Sequence, residues 1–209
     1  HKLVDLEIEQ QINTEIVGCI YKGVVKNIVP AVDGIFVDIG IGKNAFLRRK
    51  DLLNEKRFPT EGSPILAQVI KSDTDMKGAL ITEKISMFGK YAVTLSGTGY
   101  MGVSKKIRQE SVRKRLKEIG KEICAEHMGL IIRTAAENAD MDEFRKDITR
   151  LKENWDIIQK RFRMEKSPTL LYRESDIIVK ALRDYVNKGT EILITDNRKI
   201  YERICKLNE

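Results

Sequence analysis

The sequence contains few of the residues that form disulfides or bind metals. Its 209 residues include three cysteines, odd in number and far apart, and two histidines. These counts argue against a disulfide-rich scaffold and against a zinc site built from Cys and His, and they favour a reducing compartment, the cytoplasm. A Ser/His/Asp triad would depend on His127, because His1 opens the chain.

Long apolar runs are also missing. No stretch approaches the roughly 18 to 20 apolar residues of a membrane span, and the first residues do not have the pattern of a signal peptide. Charged residues make up 33% and hydrophobic residues 42%, which is typical of a globular chain. Lys and Arg outnumber Asp and Glu by 38 to 31, for a net charge of +7. This surplus favours a polyanionic partner.

Residues 16–96 have the pattern of a small all-β unit. Short runs rich in Val, Ile, Tyr and Thr are separated by Gly, Pro, Asn and Asp. About five strands at this spacing fit a small closed barrel, which leaves no sheet edge exposed. Strands are predicted at 18–29, 35–39, 45–47, 65–71, 79–82 and 91–95, with a short helical turn within 48–62.

Helical periodicity begins after residue 96. Residues 104–122 predict an amphipathic helix with a basic outer face, and residues 142–166 a helix whose apolar stripe faces a core. Shorter elements are predicted as strands at 1–10, 129–134, 169–172 and 191–195, and as helices at 177–185 and 198–207.

The most specific stretch is residues 18–53, GCIYKGVVKNIVPAVDGIFVDIGIGKNAFLRRKDLL. Strand alternation places Phe36 and Asp38 on one face, and the next turn presents Phe46 beside Phe36. Two rings on one barrel face, bordered by Lys and Arg, form a platform for stacked bases with a rim that attracts phosphates. From the residues alone, the two rings could instead fill the barrel.

This stretch resembles the RNA-binding OB-fold domain named after ribosomal protein S-one, in the variant found in the ribonuclease E/G family. IKSDTDMKGALITEKISMFGKYAVTL, GVSKKI, GLIIRTAAE, RLKENW and ESDIIVKALRDYV resemble later segments of that family, in the same order. The resemblance implies an α+β fold: a five-stranded OB-fold β-barrel inserted before an α/β 5′-sensor domain, with incomplete RNase H-like remnants at both ends. The implied domains are 1–15 (remnant), 16–96 (barrel), 97–188 (5′-sensor) and 189–209 (start of the RNase H-like subdomain).

The resemblance also implies where a 5′-monophosphate would bind. The family's sensor domain recognises the monophosphorylated end of an RNA, and its motif matches Arg133 and Thr134 in GLIIRT and Gly89 and Val93 in FGKYAV. A guanidinium can bind a terminal phosphate with two hydrogen bonds while a hydroxyl completes the site. From the residues alone, an arginine at a strand end could equally form a surface ion pair.

Lysines are the other implied RNA contacts. Lys77 in MKGA matches a lysine that contacts RNA beside the aromatic face, and Lys71 lies nearby. The family often has two arginines where this chain has Lys105 and Lys106, which keep the charge but not the planar guanidinium geometry. The aromatic residue of the family's FVDYG is Ile39 here, so one stacking surface is missing.

The catalytic features of the full-length enzymes do not occur in this sequence. Those enzymes cleave single-stranded RNA with two aspartates that hold magnesium, and a CPxC-type zinc link joins their subunits into homo-oligomers. We therefore expect no catalytic residue and no metal ligand in this chain, and no cleavage by it alone. The resemblance implies the RNA-binding part of an endoribonuclease of RNA processing and decay, including ribosomal RNA, and the chain, which begins without Met, is expected to be part of a longer protein.

Two other functions remain open at this point. The chain could be a stand-alone, non-catalytic RNA-binding or ribosome-associated module. It could also be a general basic binding protein, whose affinity for RNA would fall with salt and would not depend on the 5′ group.

Overall fold

The computed structural model describes Leu3, Leu6 and residues 16–124, 128–173, 176–186 and 189–207. His127 and the strand predicted at 1–10, apart from Leu3 and Leu6, lie outside the described residues. The chain divides into two compact units, one of residues 16–174 and one of residues 1–15 with 175–209. No helix in the described part of the chain is long and apolar enough to cross a membrane.

A closed five-stranded β-barrel begins the larger unit. Its strands pair in the order β1-β2-β3-β5-β4, and β4 pairs again with β1 to close the barrel. The side chains that fill it are mainly aliphatic, as the alternating pattern predicted, and the predicted barrel is confirmed. The strands are β1 (Ile20–Val29), β2 (Gly34–Asp38), β3 (Ala45–Arg48), β4 (Pro64–Lys71) and β5 (Leu80–Thr82), with a 3-10 turn at Arg49–Asp51.

A second, four-stranded sheet follows the barrel. Its order is β6-β7-β9-β8, with β8 and β9 parallel and the other pairs antiparallel. The strand predicted at 91–95 exists, but it belongs to this sheet and not to the barrel. The strands are β6 (Ser86–Phe88), β7 (Ala92–Ser96), β8 (Met101–Val103) and β9 (Met128–Ile132).

Two helices cover one face of the second sheet. They are α1 (Glu110–Ile123) and α2 (Met141–Met164), and both contribute to its apolar core. The predicted stripe of α2 is buried as expected at Phe144, Ile148, Leu151 and Ile158. Helix α1 begins six residues later than predicted, because the chain first turns at Ser104, whose carbonyl accepts from the N–H of Ile107, to bury the Ile107 side chain.

A short strand connects the end of α2 to the barrel. Strand β10 (Thr169–Tyr172) pairs antiparallel with the first residues of β1. Lys22 of β1 is buried; its Nζ donates to the Glu165 carbonyl at 2.7 Å and lies 5.0 Å from the centroid of the Phe162 ring. The carbonyl at the C-terminal end of α2 is therefore bound to a barrel strand by a buried ammonium group.

The smaller unit contains helices α3 (Ile177–Tyr185) and α4 (Arg198–Leu207). Asp176 caps α3 by accepting from the N–H groups of Ile178 and Val179, and it forms an ion pair with Arg203 of α4. The prediction of a strand at 191–195 is wrong. A strand needs a neighbour for its backbone hydrogen bonds, and this segment pairs with no strand among the described residues.

Candidate nucleic-acid interface

Two aromatic rings lie side by side on the outside of the barrel. Phe36 of β2 and Phe46 of β3 are direct register partners, and their ring centroids are 5.4 Å apart with the planes tilted by 52°. Both side chains are half-buried, whereas their neighbours Ile35, Val37 and Leu47 are fully buried in the barrel. The rings therefore do not fill the barrel, which was the alternative that the residues alone left open.

The pair belongs to a row of register partners that runs around the barrel. The row is Asn27 of β1, Phe36, Phe46, Leu80 of β5 and Lys71 of β4. None of these side chains is buried, so they form one continuous outer surface. Sequence reasoning identified the two rings and the terminal lysine but missed Asn27 and Leu80, because the pairing of β3 with β5 joins residues far apart in the chain.

Lys77 lies at the end of the loop between β4 and β5. Its side chain is exposed, and its N–H donates to the Thr74 hydroxyl at 3.2 Å. Lys43 holds the same loop from the neighbouring turn, since its Nζ donates to the carbonyls of Thr74 and Asp75 at 2.8 and 3.0 Å. The loop is thus ordered by contacts that leave the Lys77 ammonium exposed to solvent.

Charged side chains border the aromatic row. Lys26 Nζ lies 3.4 Å from Asp38 Oδ2, and the other oxygen of Asp38 accepts from the Gly40 N–H at 2.9 Å. Asp38 therefore orders the backbone after β2. Arg49 lies 3.5 Å from Asp33 and 4.8 Å from the Phe58 ring centroid. These are exposed pairs of low energy, so they do not prevent a phosphate from competing for the cations.

A second cluster of polar groups surrounds Arg133, directly after β9. Its Nη1 donates to the carbonyl of Gly89 at 2.9 Å and lies 3.5 Å from the carbonyl of Lys90, while its own N–H donates to the Tyr91 carbonyl. Both ends of Arg133 therefore bind the turn between β6 and β7. The structure brings Arg133 and Gly89 together as the resemblance implied.

Thr134 contributes a hydroxyl next to this arginine. Its Oγ1 lies 2.9 Å from the Ser104 hydroxyl, and Thr134 itself is exposed. Ser104 also accepts from the Lys106 N–H at 3.3 Å, so the two hydroxyls and the start of the basic segment are adjacent. Sequence reasoning missed Ser104, because its partner lies 30 residues away.

Val93 lies on the outer face of the second sheet. It is the register partner of Phe88 on β6 and of Ile131 on β9. Phe88 and Ile131 are 45% and 37% exposed, and Val93 is half-buried, so the three form an apolar row open to solvent. Phe88, at one end of this apolar row, directly precedes Gly89, so the row ends at the turn that binds Arg133.

The turn itself is held from behind by Asp147 of α2. The carboxylate is almost fully buried and accepts from the N–H groups of Lys90 and Tyr91 at 3.2 and 2.8 Å. The Tyr91 hydroxyl donates to Glu143 at 2.6 Å; burial and this carboxylate raise the pKa of Tyr91, so its hydroxyl remains a donor. Nothing in the sequence pattern singled out Asp147.

The basic outer face predicted for 105–121 is present on α1 and the turn before it. Lys105 and Lys106 are exposed, as are Lys114, Arg115 and Lys121. Arg113 differs, because its Nη1 donates to the carbonyls of Ser104 and Ile107 and so holds the turn before the helix. Within the described residues, no three His, Cys, Asp or Glu side chains come together in a group that could hold a metal ion.

Comparison with known families gives two matches that together span most of the chain. Residues 15–82 match the S1 RNA binding domain, and residues 86–209 match the Ribonuclease E/G family. The first match coincides with the barrel and the second with everything after it.

Individual relatives give the same result. The chain is 33% identical to Ribonuclease G of Escherichia coli strain K12, over 98% of this chain and 45% of that protein. It is 32% identical to Ribonuclease G of Haemophilus influenzae, over 99% and 46%, and 31% identical to Ribonuclease E of Buchnera aphidicola subsp. Schizaphis graminum, over 96% and 22%. The chain therefore spans less than half the length of these relatives.

Proposed function

Because the chain belongs to the ribonuclease E/G family, we propose that it is the RNA-binding part of an endoribonuclease of RNA processing and decay. It binds single-stranded RNA on the barrel and recognises a 5′-monophosphate at the second sheet. The observation that carries this proposal is the Phe36–Phe46 pair, two adjacent rings outside the barrel core of an RNA-binding domain.

The barrel surface suits single-stranded RNA and not a duplex. Unpaired bases can stack on the rings of Phe36 and Phe46, and each stacked base contributes about 1–3 kcal/mol. Lys71 stands at the end of the same row and Lys77 in the loop before β5, where both can meet phosphates. Stacking does not depend on which base is bound, so this surface supplies affinity with little sequence preference.

End recognition belongs to Arg133 and the groups next to it. A guanidinium bound to backbone carbonyls is oriented, and its planar geometry matches a phosphate. The Thr134 hydroxyl can add a hydrogen bond, and Gly89 and Val93 form the adjacent wall. A 5′-hydroxyl brings no charge to this site, so a 5′-monophosphate is preferred to it.

We propose that RNA cleavage depends on groups of the full-length enzyme that this chain does not supply. We expect magnesium-dependent hydrolysis to be a property of the full-length enzyme, which would act as a homo-oligomer in the cytoplasm. The described residues contain no cluster that fits a metal ion, so no catalytic step is assigned to them. The purified 209-residue chain is expected to bind RNA without cutting it.

The test compares one short single-stranded RNA with a 5′-monophosphate or a 5′-hydroxyl, by fluorescence anisotropy. Wild type should bind the monophosphate form more tightly, Arg133→Ala should bind both forms equally, and Arg133→Lys should keep part of the preference because it keeps the charge. Equal affinity of wild type for the two forms would remove end recognition and leave general RNA binding by the barrel.

A further inference from the structure

We propose that Asp147 is a positioning residue for Arg133 and so sets the preference for a 5′-monophosphate. This inference rests on the proposed function. Asp147 lies on α2 and Arg133 follows β9, and the two act on each other through the turn between β6 and β7.

Two consecutive peptide groups connect the carboxylate to the guanidinium. In the first, the Gly89 carbonyl accepts from Arg133 Nη1 at 2.9 Å while the Lys90 N–H donates to Asp147 Oδ1 at 3.2 Å. In the second, the Lys90 carbonyl lies 3.5 Å from the same Nη1 while the Tyr91 N–H donates to Asp147 Oδ2 at 2.8 Å. Each peptide is thus oriented from a cation at its oxygen to an anion at its N–H, and each hydrogen bond strengthens the other.

The carboxylate is buried and its charge is compensated. The Asp147 side chain is 5% exposed, and besides the two N–H groups it receives Arg150 Nη2 at 3.0 Å. A buried carboxylate with three donors holds its position, because moving it would leave the charge without partners. The turn is therefore fixed on the side opposite to the arginine.

Gly89 makes this arrangement sterically feasible. A Cβ at position 89 would lie 2.8 Å from Asp147 Cγ and from Oδ1, and still closer to Oδ2. Gly89 does not have a positive φ, so the glycine is required for space and not for backbone conformation. Only a residue without a side chain allows the carboxylate to lie directly behind the turn.

Loss of the Asp147 carboxylate would weaken phosphate binding, although Asp147 itself does not contact the phosphate. The N–H groups of Lys90 and Tyr91 would lose their buried acceptor, the turn would relax, and the carbonyls that orient Arg133 would move. A guanidinium that must be ordered by the ligand binds it more weakly than one already in place. Affinity that comes from the barrel would not change.

The first test measures Asp147→Ala and Asp147→Asn in the full chain, with the same RNA carrying either a 5′-monophosphate or a 5′-hydroxyl. We expect Asp147→Ala to lower the ratio of the two affinities by roughly three- to tenfold and to leave hydroxyl-end binding unchanged. Asp147→Asn, which keeps one acceptor oxygen, should lower the ratio less. Asp156→Ala, at an exposed carboxylate further along the same helix, is the matched control and should leave the ratio unchanged.

The ratio separates a positioning role from a purely structural one. Both affinities come from one sample, so an unfolded fraction alters them equally and leaves their ratio constant. If Asp147→Ala does not fold, Asp147→Asn decides the test alone.

A double-mutant cycle gives an independent test. Gly89→Ala should lower the ratio because the new Cβ displaces the carboxylate, but it should add little in an Asp147→Ala background, where the clashing atoms are absent. Equal effects of Gly89→Ala in both backgrounds would mean that residue 89 acts on the phosphate directly, and would contradict the proposal.

The two proposals fail in different ways. If wild type shows no preference for the monophosphate, end recognition itself is wrong. If wild type shows it and Arg133→Ala abolishes it, while both Asp147 variants keep the wild-type ratio, only the positioning role is wrong.

Discussion

The ring of Phe46 lies directly over the backbone of Gly34. A Cβ at position 34 would overlap the Cε2 and Cζ atoms of that ring. Gly34 is the register neighbour of Arg48 on β3, two residues beyond Phe46, so the ring folds across β2 and reaches Phe36. The glycine before IFVD therefore has a specific role, since it lets the two rings lie together outside the barrel.

Truncation of either ring should weaken RNA binding whatever the 5′ end. Phe36→Ala and Phe46→Ala should each cost about 1–3 kcal/mol of binding free energy, because one stacking surface is lost. Gly34→Ala should also weaken binding while both rings are retained, since the new Cβ displaces Phe46. Anisotropy titration with 5′-hydroxyl RNA measures all three variants.

The matched control is Tyr201→Ala, which removes an exposed aromatic ring on α4. It should bind RNA as wild type does. Folded Phe36 and Phe46 variants with unchanged affinity would show that the bases do not stack on this face.

The two lysines near the aromatic row should contribute through charge. Lys71→Ala and Lys77→Ala are each expected to remove one phosphate contact. The slope of log affinity against log salt is negative and should become less steep by about 0.7 per variant, the value for one phosphate contact with single-stranded nucleic acid. Lys199→Ala, at an exposed lysine on α4, should leave the slope unchanged. An unchanged slope in Lys71→Ala or Lys77→Ala would place that lysine outside the RNA path.

Glu83, just after β5, should make stability depend on pH. Burial raises the pKa of its carboxyl, against the Leu53 N–H that donates to it at 2.9 Å. A raised pKa in the folded state means that the folded chain binds the proton more tightly, so the free energy of unfolding falls as pH rises above the ordinary glutamate value of 4.5. Glu83→Gln should therefore be more stable than wild type at neutral pH.

Urea unfolding at several pH values measures this effect. The advantage of Glu83→Gln should shrink as the pH approaches 4.5 from above. Glu118→Gln, at an exposed glutamate of α1, should show no such trend. If the free energies of unfolding of Glu83→Gln and wild type differed by the same amount at every pH, the pKa of the Glu83 carboxyl would not be raised by folding.

Several parts of the fold followed from local sequence. The alternation of IFVD placed Phe36 on one face of its strand and Ile35 and Val37 on the other, because a strand has a strict two-residue period. The structure then showed that the face of Phe36 is the outer one. The apolar stripe of α2 likewise predicted which face of the helix is buried, because a helix has a period of about 3.6 residues. The segment 191–195 shows the limit of such patterns, since a run of β-branched residues forms a strand only where another strand pairs with it.

The sequence by itself determined the barrel, the long helix, the aromatic pair and the family, because each depends on near neighbours or on ordered motifs. Only the tertiary structure decided how Arg133 is held. Asp147 is 57 residues from Lys90 and 56 from Tyr91, the two residues of the turn from whose N–H groups it accepts hydrogen bonds. Arg133 binds the same turn from the end of another strand. A hydrogen-bond network of this kind leaves no local sequence pattern, since its residues are close in the folded structure but far apart in the sequence.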